Sequence, residues 1–360
     1  MRRILYFSRL YTPHDYRFLS AFANNGDEVF VIHLERRDKP LEKRPLPYSV
    51  KLISWAGGKG KFHYGQTPVL VKDLKKQIHH IQPDVVLAGP IQTCAFLVAA
   101  AGFPKLVSMS WGYDLFLDAG RNWFAKWLTR YTLRHSKAML GDCETIRNLA
   151  VSYGMPEEKI VTFPWGVDLQ HFRQNNQPKK KQDRFVFLST RNWEPIYGVE
   201  LIARAFSQIA KENSDVELMM LGNGSQSNIL RQIFSQAGVL EQVSFPGQIE
   251  YLELPTYYQS ANIYLSASHS DGSSVSMLEA MACGKPVIVS DLPGNREWVV
   301  DGKQGWIFPD GDVNALAETM QRAYHERERL EEMGKAARRL VEERADWARN
   351  FPKIYQAIDG

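Results

Sequence analysis

Short apolar runs recur along this chain of 360 residues, separated by segments with helical spacing, and that alternation narrows its fold more than any other feature. Ile4–Phe7, Val29–Ile32, Val85–Ala88, Leu106–Val107 and Ile160–Phe163 have strand character in the first half. Phe185–Leu188, Leu218–Leu221, Val243–Phe245, Ile263–Leu265 and Val287–Val289 repeat the theme in the second. Unbroken apolar runs of this length suit strands buried on both faces, which parallel sheets flanked by helices provide. An α/β architecture follows. The length exceeds what one core usually serves, so two domains are expected. Between the two sets of runs, Arg173–Asp183 (RQNNQPKKKQD) is polar, basic and interrupted by proline, the composition of a linker. The expected division is a first domain over 1–168, a linker over 169–184, a second domain over 185–344 and a closing aromatic helix over 345–360. Two doubly wound sheets facing a cleft would take a ligand at the carboxyl ends of their strands.

Composition excludes several classes. Hydrophobic residues make up 44% and charged residues 23%, as in an ordinary globular protein. A formal net charge of +4 is too small to argue for nucleic acid, though it accommodates acidic substrates or an anionic membrane surface. The three cysteines, Cys94, Cys143 and Cys283, are odd in number and far apart, which fits a reducing compartment and no metal cluster. MRRILYFSRLYTP carries too short an apolar run for a signal peptide, and no stretch is long enough to span a bilayer, so the expected location is the cytoplasm.

The chemistry concentrates in Ser268–Asp291. A short strand at Ile263–Leu265 feeds a turn over Asp271–Ser276, then a small-residue helix that stops at Gly284-Lys285-Pro286. Free N–H groups and the positive end of the helix dipole converge at such a turn, which suits a phosphate. Asp271 and Glu279 bracket it with seven residues between them, so one acid precedes the helix and the other lies inside it. A ligand with phosphate between two polyols, such as a nucleotide-sugar, fits that layout.

This acid pair, followed by AMACGKPVIVSDLPGNREWVVDGKQGWIF, resembles the signature of the family 4 glycosyltransferases, retaining and metal-independent enzymes of the GT-B fold. The resemblance is strong in the C-terminal half and weak over the first hundred residues. It implies a GT-B arrangement of two Rossmann-like doubly wound domains and transfer of a sugar from a nucleotide-diphosphate sugar, UDP-sugar favoured, to an acceptor hydroxyl, with no metal and no cofactor beyond that cosubstrate. Arg191, after the strand at Phe185–Leu188, is the residue expected to grip the diphosphate, since its planar fork pairs bidentately with phosphate oxygens. Asp271 joins it as the second catalytic candidate, binding sugar hydroxyls. Gly272, Ser273, Ser274, Val275 and Ser276 line the phosphate turn, and Glu279 would hold the ribose hydroxyls. Gly222, in LGNGSQSNIL, would shape the wall near the nucleotide, and the backbone of Gly247, Gln248 and Ile249 would hold the base. On the acceptor side the matching positions are His14, Trp111 and Asp114.

Three positions depart from the family pattern. Asp271 stands where glutamate is usual, Trp111 replaces the histidine of a His-Gly-x-Asp turn while Gly112 and Asp114 persist, and Tyr197 replaces a lysine before Gly198. A tryptophan cannot carry a proton, and Tyr197 offers at most a neutral hydrogen bond where a charge-assisted one contributes roughly 1.5–3 kcal/mol. The turn after the first strand has Pro13 and His14 in place of two glycines; His14 is either a polar contact in the cleft or a cap for the following helix. Asp310-Gly311-Asp312 precedes a helix at Val313, so capping explains it better than a metal.

Two further segments have alternative readings. Ala56–Phe62 (AGGKGKF) reads as a mobile, solvated loop, and a guard over the acceptor side is the second reading. Arg121–Arg134 (RNWFAKWLTRYTLR) places Trp123, Trp127, Tyr131 and Arg134 at helical spacing; such a stripe usually faces a core, and a helix lying on a membrane surface is the second reading. The expected partners are a nucleotide-sugar donor and a carbohydrate, lipid-linked or small-molecule acceptor, with peripheral contact at the inner face of a membrane and no nucleic acid. Surface polysaccharide, glycolipid or glycoside synthesis is the implied setting. A non-catalytic nucleotide-sugar-binding module of the same fold is the alternative that the three departures leave open. A dinucleotide-dependent enzyme is disfavoured because the third glycine and the following acid of its fingerprint are missing.

Overall fold

The computed structural model describes residues 1–38, 41–174 and 184–360. Most of the expected linker, at 175–183, lies outside the described residues. The chain divides into two compact units, one of Met1–Phe163 with Phe351–Gly360 and one of Pro164–Asn350.

The first unit runs β1 (Arg3–Ser8), α1 (Pro13–Asn24), β2 (Glu28–His33), β3 (Lys51–Leu52), α2 (Thr67–Ile81), β4 (Val85–Gly89), α3 (Phe96–Ala101), β5 (Leu106–Met109), α4 (Trp123–Arg134), β6 (Ala138–Gly141), α5 (Glu144–Ser152) and β7 (Ile160–Thr162). Its strands form one parallel sheet in the order β3-β2-β1-β4-β5-β6-β7. Two strands lack the anticipated signal. β3 is a two-residue edge whose side chains are exposed, and β6 (AMLG) is built from weak β-formers that only burial between β5 and β7 holds extended.

The second unit runs β8 (Phe185–Ser189), α6 (Val199–Glu212), β9 (Val216–Leu221), α7 (Ser227–Ala237), β10 (Val243–Gly247), α8 (Leu254–Ser260), β11 (Ile263–Ser266), α9 (Val275–Ala282), β12 (Val287–Ser290), α10 (Pro293–Arg296), β13 (Gly305–Phe308), α11 (Val313–His325), α12 (Leu330–Arg344) and α13 (Trp347–Asn350). Its parallel sheet has the order β10-β9-β8-β11-β12-β13. Alternate residues of β8 and β11 enter opposite cores: Phe185, Phe187, Ile263 and Leu265 one, Val186, Leu188 and Tyr264 the other. Burial on both faces is why these strands read as continuous apolar runs.

The last helix, α14 (Ile354–Asp359), belongs to the first unit. Asp359 takes a bidentate pair from Arg2 at 2.9 and 2.7 Å, Tyr355 Oη donates to Asp27 at 2.5 Å, and the Phe351 ring meets Phe22 edge-on at 5.1 Å. Residues 345–350, expected to travel with this helix, stay with the second unit, where the amide of Val167 donates to Ala345 and that of Trp347 to Val167. The first unit ends at Phe163 rather than 168 for the same reason: Pro164 accepts from Asn350.

Two local expectations change. The glycine-bearing loop at 56–62 is pinned by Ala56 N–H to Asp73 Oδ2, Gly58 N–H to Leu34 O and Phe62 N–H to Glu35 Oε1. Helix α4 does not turn its tryptophans inward. Leu128, Thr129, Thr132 and Leu133 fill its buried face, the Thr129 hydroxyl donating to Ala125 O and accepting from Gln92, so the space against the sheet is already taken.

Candidate active site

In a doubly wound sheet the ligand crevice opens where the strand order reverses, at the carboxyl ends of the two strands on either side. In the second unit those strands are β8 and β11, and Arg191 follows one while Asp271 follows the other. Gly198 draws the two loops together. It sits at φ +58°, between the short turn Pro195–Tyr197 and α6, and a Cβ there would lie 1.9 Å from the carbonyl oxygen of Ala267. Gly294 does the same from the far side, since a Cβ would stand 2.6 Å from Asp271 O and 2.7 Å from Gly272 O.

The Arg191 side chain is almost wholly buried and held from three directions. Nη2 lies 2.9 Å from Asp271 Oδ2 as an ion pair, outside hydrogen-bond geometry. Nη1 donates to Ser274 Oγ at 3.1 Å and Ser276 Oγ at 3.2 Å. The guanidinium carbon lies 4.2 Å from the centre of the Tyr197 ring. At the position where the family pattern led to an expected lysine, this chain thus has an aromatic face that braces Arg191. Nε is a buried donor without an acceptor among the described residues. Burial works against the guanidinium charge, but Asp271 together with Tyr264, Tyr197 and Tyr258 raises its pKa on balance; burial lifts the Asp271 carboxyl above its ordinary value against the pull of Arg191.

Ser274 occupies the cap position of α9 yet its hydroxyl does not cap the helix; it faces Arg191 instead. The first turn of α9 therefore presents its amides without a side-chain acceptor, beside a guanidinium, which is an anion-binding arrangement. Trp298 Nε1 donates to Ser273 Oγ at 3.0 Å and fixes the turn from beneath. Glu279, inside α9, accepts at Oε2 from Tyr258 Oη at 2.9 Å, and that hydroxyl shares a 3.1 Å bond with Thr190 Oγ1. Tyr264 Oη donates to Ser276 Oγ at 2.8 Å. Sequence reasoning missed Tyr258, Tyr264 and Trp298. Tyrosine hydroxyls on a core helix and a core strand are legible only once the fold aims them at α9.

The nucleotide-side positions lie one strand further out. Gly222, at φ +98°, donates its N–H to Gly247 O at 2.7 Å and abuts the carbonyl of Arg191. Gln248 is exposed, and Ile249 packs against the core that includes Leu188. In the first unit, the Trp111 ring lies 5.8 Å from His14 and 6.2 Å from Phe18. The cap of α1 is Thr12, in a reciprocal box with Asp15, so His14 does not cap it. Asp114 is fully buried. Its Oδ1 accepts from Ser110 Oγ, Trp111 N–H and Leu115 N–H, its Oδ2 from Ile91 N–H, and burial raises its pKa to about 6. It is the post around which the Trp111 turn is built, not a group presented to an acceptor. Asp312 caps α11 through Ala315 N–H, and Asp310 contacts His269. Among the described residues no group of three or more His, Cys, Asp or Glu side chains is arranged to hold a metal.

A two-unit parallel α/β chain with an arginine and an uncapped helix start at the switch point defines the GT-B class of glycosyltransferases. Two family models match consecutively, Glycosyltransferase Family 4 over residues 14–171 and Glycosyl transferases group 1 over 170–340. The chain belongs to the family 4 glycosyltransferases and is a glycosyltransferase that uses a nucleotide-sugar donor. It is 23% identical over 295 residues to a GDP-mannose-dependent alpha-(1-6)-phosphatidylinositol monomannoside mannosyltransferase of Mycolicibacterium smegmatis, covering 76% of this chain and 75% of that one. It is 31% identical over 205 residues to a phosphatidyl-myo-inositol mannosyltransferase of Mycobacterium leprae, covering 55% of this chain and 54% of that one. The Anabaena protein HepE, crystallised with UDP and glucose, shares the fold across all of both chains with a TM-score of 0.82 at 16% identity.

Proposed function

We propose that this chain is a retaining, metal-independent glycosyltransferase that moves a hexosyl group from a nucleoside-diphosphate sugar to a hydroxyl of a lipid-linked or saccharide acceptor. The observation that carries it is the Arg191 guanidinium poised over the uncapped start of α9. The diphosphate enters there, takes Nε and Nη2 from Arg191, and releases Asp271 to the sugar hydroxyls. Glu279, oriented by Tyr258, holds the ribose. The bond between the anomeric carbon and the phosphate oxygen breaks as the pair of electrons leaves with the diphosphate. Arg191 and the α9 amides stabilise that charge as it develops, which is electrostatic preorganisation. The acceptor oxygen bonds to the same face of the anomeric carbon and its proton passes to the departing phosphate, giving retention without a protein base. A glycolipid acceptor is favoured because both mannosyltransferases named above carry phosphatidylinositol acceptors in their names.

UDP-sugars and GDP-mannose are the donors to test first. A ligand that binds only the folded chain raises its melting temperature, so a thermal-shift screen ranks donors before any acceptor is known. The leading donor is then incubated with phosphatidylinositol, diacylglycerol and oligosaccharide acceptors, and nucleoside diphosphate release is followed. Stabilisation by a donor with turnover supports the proposal. Stabilisation with neither hydrolysis nor transfer to any of them supports the non-catalytic module instead.

A further inference from the structure

The exposed face of α4 has a composition that the transfer reaction does not use. Trp123 is 80% exposed and Trp127 48%, and Phe124 stands at 37%. Lys126, Arg130 and Arg134 follow one another at four-residue steps, as Trp123 and Trp127 do, so a basic row and an aromatic row run side by side along one face. The opposite face is the buried one, with Leu128, Thr129, Thr132 and Leu133. The rings are continuous: Tyr64 meets Phe124 at 5.3 Å, Phe124 stacks on Trp127 at 6.1 Å, and Trp127 stacks on Tyr131 at 5.4 Å. The helix carries no acidic residue, and Arg121 just before it adds another positive charge. Asp118, partly buried, is the nearby acid on the preceding turn, and Arg121 and Arg9 lie within its electrostatic reach.

We infer that this face of α4 lies on an anionic lipid bilayer. A core helix would not leave two tryptophans in water, and single exposed apolar residues are normal where a connected row is not. A protein partner is the weaker fit, because interface centres are depleted in lysine, and here Lys126 stands between the two tryptophans in sequence. A bilayer takes both residue types at neighbouring depths, tryptophan rings at the headgroup level and lysine or arginine against anionic phosphates. A twelve-residue helix is about 18 Å long, enough to lay three turns on the surface while its inner face stays docked on the protein. No helix among the described residues is long and apolar enough to cross a membrane, so the contact is peripheral.

The test is flotation of the whole chain with vesicles of phosphatidylcholine alone and of equal parts phosphatidylcholine and phosphatidylglycerol. The chain should float with the anionic vesicles, fall away as salt is raised, and stay at the bottom with neutral ones. Each basic residue beside an anionic leaflet contributes about fivefold to partitioning, so Lys126→Ala with Arg130→Ala should weaken it roughly 25-fold. Trp123→Ala with Trp127→Ala should weaken it roughly tenfold or more, and Trp123→Ala alone should weaken it with an unchanged melting temperature because that ring is 80% exposed. A chain that stays at the bottom with anionic vesicles overturns the inference, as does a tryptophan double variant that floats like the parent. A dimer that forms without lipid and dissociates in that double variant overturns it too, since the face would then cover a second copy. Flotation needs neither donor nor turnover, so its result is separate from that of the transfer reading.

Discussion

Replacing Arg191 with alanine probes the site at its centre. The guanidinium now spends its hydrogen bonds on Ser274 and Ser276 and its charge on Asp271, 2.9 Å away. A bound diphosphate would exchange the Asp271 contact for a phosphate contact and satisfy Nε as well. Two charge-assisted bonds of roughly 1.5–3 kcal/mol each are formed while one ion pair is given up, so the net loss in the variant is about the worth of one bond. Nucleoside diphosphate affinity should therefore fall about tenfold to a hundredfold by calorimetry. Turnover should fall further, by roughly 10²–10³, because the charge on the leaving group is largest in the transition state. The variant also leaves Asp271 as a mostly buried carboxylate without a cation, which costs at most about 3 kcal/mol because its side chain keeps 16% exposure. Adding Asp271→Asn should restore the melting temperature without restoring turnover. If Arg191→Ala binds UDP and GDP within about threefold of the parent, the diphosphate does not sit on this guanidinium and the mechanism is wrong.

Other perturbations separate binding, scaffold and protonation. Glu279→Ala should weaken donor binding about tenfold to a hundredfold with kcat nearly unchanged, and Tyr258→Phe, which removes one neutral bond to it, about threefold to tenfold; steady-state kinetics at varied donor distinguishes these from a catalytic loss. Asp114→Ala strands the Ile91, Trp111 and Leu115 amides and should destabilise the first unit by roughly 2–4 kcal/mol in urea melts, whether or not donor is present. Burial pushes His33 down to about 4, so the folded chain keeps it neutral while the unfolded chain takes up a proton below about 6.5. Its contribution is whole above that pH and is lost as pH falls towards 4, up to about 3 kcal/mol. Asp15 and Asp114, raised to about 6 by burial, act in the opposite sense between about 4 and 6, so the His33 share is read as the difference in melting between parent and His33→Gln across that range.

Much of the fold was legible because burial on both faces writes itself as unbroken apolar runs, which β1, β4, β8, β11 and β12 all display. β6 was not, since alanine, methionine and glycine carry no β signal and only the neighbouring strands fix it. The turn between β11 and α9 was legible because glycine and serine cluster between an apolar run and a small-residue helix. Asp114 stood out for its spacing, which matched a family turn, but its buried structural role did not: three of its four hydrogen bonds come from its own turn and the fourth from Ile91, in the helical turn after β4. Tyr197 was read as a missing charge, and its place under Arg191 rests on the loop that Gly198 bends back against Ala267. The α4 stripe misled for a related reason. Periodicity tells which residues share a side and not which side meets the sheet, and here leucines and threonines took the interior.

The pairing of Arg191 with Asp271 carries a consequence for which anions can reach the guanidinium. A carboxylate attached to the same chain competes for the guanidinium at an effective concentration that no dissolved acetate or sulfate in the cell approaches. On the proposed mechanism, small anions with a single point of attachment would compete poorly. A visitor must bring enough oxygens to occupy the arginine and the helix tip together before the tether lets go. On the proposed mechanism, preference for two linked phosphates would then be set before any sugar is recognised.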